Sequence, residues 1–248
     1  MPLNPLSPVT DYQSMLNRIF WFTSAAALVA VWLLRTNLPW LDETLTRIDF
    51  TLEFGGDKIL PVAGGYLFPA LAVGLASRIF RIHGKLADWL GIRERFDVDV
   101  IIRELAQRTG YDLSLMTDEQ LTQSRHELMR QAFYPFVSGR DPQIDESLIH
   151  RARDLWSWLW IGLEATTVFV LTGLALVASG AQQPGITVML TALALAFLGL
   201  PAVRNECRRH AVAQVREITR SPERSSLVSQ AFDEILGGRS VEPMRMAA

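Results

Sequence analysis

Residues 165–203 read ATTVFVLTGLALVASGAQQPGITVMLTALALAFLGLPAV, thirty-nine consecutive positions without one ionisable side chain, closed off by Glu164 before and Arg204 after. A helix of a water-soluble domain shows polar residues on its outer face at every turn, so it cannot sustain such a run. Two apolar helices solvated by lipid can. A hydrocarbon core about 30 Å thick takes roughly 20 helical residues, and the run supplies two such lengths around a turn. The turn formers Ser179, Gly180, Pro184 and Gly185 stand in its middle. The spacing therefore predicts one crossing from Leu155 to Ala178, a turn over 179–185, and a return from Ile186 to Val203. Trp156, Trp158 and Trp160 sit at the entry of the first of these, where aromatic rings anchor at an interface.

Outward from that hairpin, two further apolar stretches lie upstream. Ile19–Leu34 is bracketed by Arg18 and Arg35, which can reach outward along their alkyl stems, and is flanked by Trp21, Trp32 and Trp40. A cleaved signal peptide fits it poorly: Asp11 sits in the segment that should be basic, and the small residues Ala25–Ala27 fall in mid-run. Ile59–Ser77, between Lys58 and Arg78, holds Pro61, Gly64, Gly65, Pro69 and Gly74, a composition tolerated in lipid. Pro69 is expected to kink it. Gly65, Ala70 and Gly74 form a small-residue stripe for close helix packing.

The expected fold is all-α: an integral membrane protein with four transmembrane helices and a helical cytoplasmic domain. Its segments are an irregular N-terminus (1–15), a first transmembrane pair with an acidic outer loop (16–80), the cytoplasmic helical domain (81–154), the hairpin (155–203) and a helical extension with a tail (204–248). Lysine and arginine set the orientation. One precedes the first crossing, three lie between the first and second, twelve between the second and third, none in the hairpin turn and eight after the fourth. Positive-inside logic puts both termini and the 81–154 domain in the cytoplasm of a bacterial inner membrane.

Within 81–154, helical pattern continues from the second crossing through Leu90 to Gly91. A helix from Asp97 to Arg108 carries Val98, Ile101, Ile102 and Leu105 on one face, with Gly110 as its stop. Thr117 and Gln120 form a capping box for the next, whose apolar face is Leu121, Leu128, Met129 and Ala132. Pro135–Pro142, with Gly139, reads as a loop. Helices starting near Gln143–Glu146 and ending near Ile218 run unbroken into and out of the hairpin. One amphipathic piece, Leu227–Leu236, interrupts a polar C-terminal stretch.

Glu164 is the one ionisable residue inside a crossing, roughly 15 Å deep at 1.5 Å per residue. At that depth a carboxylate costs about 2.5–3.5 kcal/mol, so it should face protein or water. Ser157 and Thr167 share its side of the helix, and the three are candidates for a pore or gate. A carboxyl bonded to a neighbouring helix for structure alone is the competing reading. Arg151, Arg153, Arg204, Arg208 and Arg209 are candidates for lipid headgroups or an anionic ligand such as a nucleotide.

His83, His126, His150 and His210 do not cluster, and Cys207 with His210 is an incomplete ligand set, so no metal or cofactor is expected. The lone cysteine excludes an internal disulfide. The sequence has no phosphate-binding glycine loop, no nucleophile elbow and no specific nucleic-acid site.

These features favour a homo-oligomeric pore or membrane-disrupting effector, gated through the cytoplasmic helices. A non-conducting anchor that recruits a cytosolic partner is the alternative. An enzyme or transporter ranks lowest for want of a polar constellation. In layout, four spans and a cytosolic helical domain, the chain resembles the small membrane subunits of bacterial anti-phage defence systems of the Kiwa and Hailong type. That resemblance implies a tetramer-like assembly, lipid contact and a cytosolic protein or nucleotide-type trigger.

Overall fold

The computed structural model describes residues 8–54, 57–138 and 142–237. It is helical throughout except for one short hairpin. The expected loop glycine Gly139, the first seven residues and the polar end of the chain lie outside the described residues. The chain divides into two compact units, 1–86 with 154–204, and 87–153 with 205–248.

The first unit opens with α1 (Tyr12–Asn37), started by Asp11 and Ser14 in a reciprocal capping box. The short α2 (Pro39–Thr46) follows, with proline in its first turn. Two antiparallel strands, β1 (Phe50–Phe54) and β2 (Asp57–Val62), come next, and α3 covers Gly64–Phe80. The hairpin corrects the expectation that a helix begins at Ile59. Leu60 precedes Pro61, and the proline ring pushes its predecessor into extended backbone. Helix starts only after Pro61, which pairs with Thr51 in the ladder.

A second correction lies at the end of α3. The pattern predicted one helix through Leu90, but Arg81 adopts φ 50° and ψ 51°, and α4 (Ile82–Trp89) leaves at 61° to α3. A left-handed residue that is not glycine costs about 1–2 kcal/mol. Something must hold it.

The helices α9 (Glu146–Ala178) and α10 (Gln182–Arg220) are joined by only three residues, with Gly180 at φ 91°. Pro184 and Gly185 therefore belong to α10 and not to the turn; proline is tolerated in a first turn, where the amide has no intrahelical partner. Gly173 and Gly185 bring the two backbones together: a Cβ on either would stand 2.6 Å from the other's carbonyl oxygen.

α1, α9 and α10 are each long and apolar enough to cross a membrane, and α3 with α4 makes a fourth if the bent pair is one span. The stripe expected on α3 faces α1 and α2. Ala70 is buried, a Cβ on Gly74 would meet Ser24 Oγ at 2.0 Å, and one on Gly65 would meet the Leu45 carbonyl at 2.4 Å.

In the second unit, α5 (Ile92–Phe96), a π-helical turn (Asp97–Ile102) and α6 (Arg103–Thr109) form one rod ended by Gly110 at φ 74°. α7 (Asp118–Leu128) starts at the Thr117–Gln120 capping box and runs into a second π turn (Met129–Phe133). The expected loop at Pro135 is instead a helical turn, α8 (Tyr134–Val137), with Pro135 inside its first turn. α11 (Pro222–Phe232) and a third π turn (Asp233–Gly237) bury Val228, Ala231, Phe232 and Leu236 beside α6 and the second π turn. The C-terminal piece is thus part of this unit's core. Arg224 folds back on the end of α10, donating to the Ile218 and Glu217 carbonyls at 3.2 and 2.7 Å. A cation there complements the helix dipole.

One charge pair is buried in this core: Arg125 donates to Asp97 at 3.1 Å. Burial pushes the Asp97 carboxyl up to about 6, against a partial pull downward from Arg125 and Arg93. The fold thus binds this proton more tightly than the unfolded chain does, and the resulting stabilisation is lost as pH rises from about 4 to about 6. Asp97→Asn should therefore gain stability relative to the wild type by about 3 kcal/mol between pH 4 and pH 7, read from denaturation at each pH.

The α1–α3 contact generates a second expectation. Gly74→Leu should destabilise by about 1–3 kcal/mol in a thermal melt in detergent. Gly199→Ala, where an added Cβ meets nothing within 4 Å, should leave the melt unchanged or slightly raised.

Candidate functional site

Glu164 is 2% exposed, and its carboxylate is the meeting point of four elements. From α1, Thr23 donates its hydroxyl to Oε2 at 2.5 Å. From α3, the Ser77 hydroxyl lies 2.6 Å from both oxygens. From α4, the His83 amide donates to Oε1 at 2.9 Å, and the His83 ring nitrogen Nδ1 stands 3.3 Å from the same atom. Glu164 itself comes from α9.

The break at Arg81 now has a cause. A helix start leaves its first amides without intrahelical acceptors and carries partial positive charge, which a carboxylate satisfies. Ending α3 at Arg81, whose own amide donates to the Ser77 carbonyl, turns the His83 amide toward Glu164. The buried carboxylate gains a charge-assisted hydrogen bond in return. Trp160 lies against His83, with ring centroids 6.2 Å apart. Trp160 is buried, so it packs on the site and does not anchor at an interface as expected. Its neighbours Trp156 and Trp158 are half-buried.

About two turns earlier on α9 is a second polar contact. Arg18 of α1 donates to Asp154 at 2.5 Å and to the Ser157 hydroxyl at 3.0 Å, with its guanidinium carbon 5.4 Å from the Trp158 ring centre. Arg18 is 4% exposed. It does not reach outward as the sequence suggested, because an acid and an indole face on α9 receive it. Arg35, at the other end of α1, is also buried. It donates to Asp42 at 2.6 Å and to the Thr46 hydroxyl at 3.0 Å, and stacks 3.9 Å from the Tyr66 ring centre.

Of the residues expected around a polar axis, Glu164 and Ser157 lie on one buried face of α9 but in separate contacts. Thr167 is in neither; its hydroxyl donates back to the Leu163 carbonyl at 2.9 Å. Arg204 and Arg208 are exposed, as is Arg209, which pairs with Glu206 at 2.6 Å. Arg151 is exposed and Arg153 half-buried. Sequence reasoning missed Thr23, Ser77, His83, Arg18 and Asp154. The available signal was that Thr23 and Ser24 are the central hydroxyls of an otherwise apolar run.

Chemically, the Glu164 site is a cradle of polar groups from three helices around one carboxylate. Ser77 points its hydroxyl at the carboxylate and contacts both of its oxygens. Among the described residues, no three His, Cys, Asp or Glu side chains gather to hold a metal. Cys207 is buried.

Removing the acceptor should be costly. Glu164→Ala leaves the Thr23 and Ser77 hydroxyls and the His83 amide facing an apolar hole and should lower stability by about 3–5 kcal/mol, near the cost of breaking a buried charged contact. Ser77→Ala removes one donor of several and should cost about 1 kcal/mol. Melting of the purified variants in one detergent checks the order Glu164→Ala far below Ser77→Ala.

Residues 11–233 match the model of the YmfE protein family. No curated protein and no solved structure matches the chain.

Proposed function

The chain belongs to the YmfE protein family, and from that premise we propose that it is a four-crossing membrane protein serving as a non-conducting anchor. In this reading it holds its second, helical unit in the bacterial cytoplasm for a cytosolic partner. The crossings are α1, α3, which bends at Arg81 into α4, α9 and α10. The lysine and arginine bias puts the termini and the second unit on the cytoplasmic side.

The enclosure of Glu164 carries the choice of an anchor. A pore needs polar groups facing an aqueous path. Here Glu164, the acid buried within the apolar stretch of α9, spends its acceptor capacity on Thr23, Ser77 and His83 of its own protomer. The outer face of α10 offers Ile186, Leu190, Leu193, Leu195, Phe197 and Leu198, which suits lipid and not water.

A second reading, a homo-oligomeric and tetramer-like membrane effector with a cytosolic trigger, draws on a different observation. α9 and α10 each contribute residues to both units as continuous helices, and in this reading a cytosolic event moves the crossings through them. A role in anti-phage defence belongs to this reading, on layout alone.

Two measurements separate the readings. Purified protein in planar bilayers should give no current, with or without Glu164→Gln; a current altered by that substitution would establish the effector instead. Reporter fusions at the C-terminus and at Gly180 should report cytoplasm and exterior respectively. The opposite pattern would overturn the orientation.

A further inference from the structure

α4 presents three faces. His83 and Ala87 are buried, and Gly84 and Asp88 occupy another side. The third is an apolar stripe of Ile82, Leu86 and Trp89, carried on by Leu90 in the following turn, all within about 100° of one another at 100° per residue. The stripe is uncovered at its far end, where Trp89 is 81% exposed and Leu90 42%, while Ile82 and Leu86 are half-buried. It follows directly on the exposed apolar end of α3, where Ile79 is 63% and Phe80 56% exposed. Two exposed cations border it, Arg81 at the break and Lys85 within α4, the latter with its ammonium 5.7 Å from the Phe80 ring centre.

Geometry says where this face sits if α3 crosses a bilayer, so the inference rests on the membrane reading above. The 17 residues of α3 cover about 25 Å, nearly the hydrocarbon thickness, and α4 begins close to the boundary, which puts Glu164, bonded to the His83 amide, nearer that boundary than the sequence alone suggested. Continuing straight, eight residues would climb about 12 Å out of the bilayer; at 61° to α3 they climb only about 6 Å. An amphipathic helix held in the boundary plane buries its apolar face about 5–10 Å into the headgroup and acyl border, with cations toward lipid phosphates. Tryptophan favours that depth.

We propose that α4 is a lipid-binding helix lying in the cytoplasmic headgroup layer, with Ile82, Leu86, Trp89 and Leu90 set among acyl chains and Arg81 and Lys85 on the phosphates of anionic phospholipid. The partner is the bilayer surface and not a protein, because the stripe follows in sequence on the exposed apolar end of α3 and is bordered by Arg81 and Lys85. Anionic lipid attracts such residues with about 1 kcal/mol each near the surface.

Nitroxide labels on full-length Trp89→Cys, Leu90→Cys and, as a lipid-facing reference, Leu195→Cys test this in phosphatidylcholine vesicles with and without phosphatidylserine. The native Cys207 is buried, and every labelled variant carries Cys207→Ala so that only the introduced thiol reacts. Labels at 89 and 90 should collide with oxygen several-fold more than with a water-soluble nickel chelate. That ratio should rise with phosphatidylserine, and Lys85→Glu should abolish the rise. Nickel access at 89 and 90 with oxygen access at 195 overturns the proposal and leaves the membrane reading standing. Shielding of 89 and 90 from both reagents means that a protein covers the face, and also overturns it. A ratio indifferent to phosphatidylserine removes the anionic headgroup. Nickel access at 195 removes the membrane reading, and this proposal with it.

Discussion

The first unit is organised by one requirement: a carboxylate taken out of water must find donors on every side. Glu164 has no solvent to fall back on, and the cost of leaving it unsatisfied exceeds that of bending a helix. Hydroxyls on α1 and α3 meet part of that demand. The rest is met by breaking the helical run at Arg81 and offering the amide at the head of α4. The penalty for a left-handed arginine, about 1–2 kcal/mol, is smaller than that of a buried acceptor short of partners, so the bend wins.

The same accounting explains the two buried arginines of α1. An arginine near the end of an apolar helix ordinarily extends to the interface, where its charge stays hydrated. Arg18 and Arg35 turn inward because carboxylates wait for them, Asp154 on α9 and Asp42 on α2. Together with the Glu164 cradle they tie α1 to its neighbours near both ends and between them. Gly65, Ala70 and Gly74 supply the close approach that these bonds need.

Features encoded within a few residues were legible before the structure. Both partners of the Thr117–Gln120 box lie on one turn, and Gly110 stops its helix by its own backbone freedom. Val98, Ile101, Ile102 and Leu105 could be assigned to a core by spacing alone, and all four are buried. The β1–β2 hairpin was half legible, since Pro61 carried the signal that Leu60 must be extended. The break at Arg81 was not. No glycine or proline marks it, and its cause sits 83 positions later, at Glu164. His83 and Ser77 escaped notice for the same reason: their role is fixed by a partner on another helix, which periodicity along one helix cannot report.

The order of these groups along the chain bears on how the protein is made. Thr23, Ser77 and His83 all precede Glu164, as Arg18 and Arg35 precede the carboxylates they meet. Translation runs from the N-terminus, so the donors leave the ribosome first and α9 arrives carrying its acid toward helices already synthesised. The nascent carboxylate need never wait in an apolar environment for a partner still to be translated.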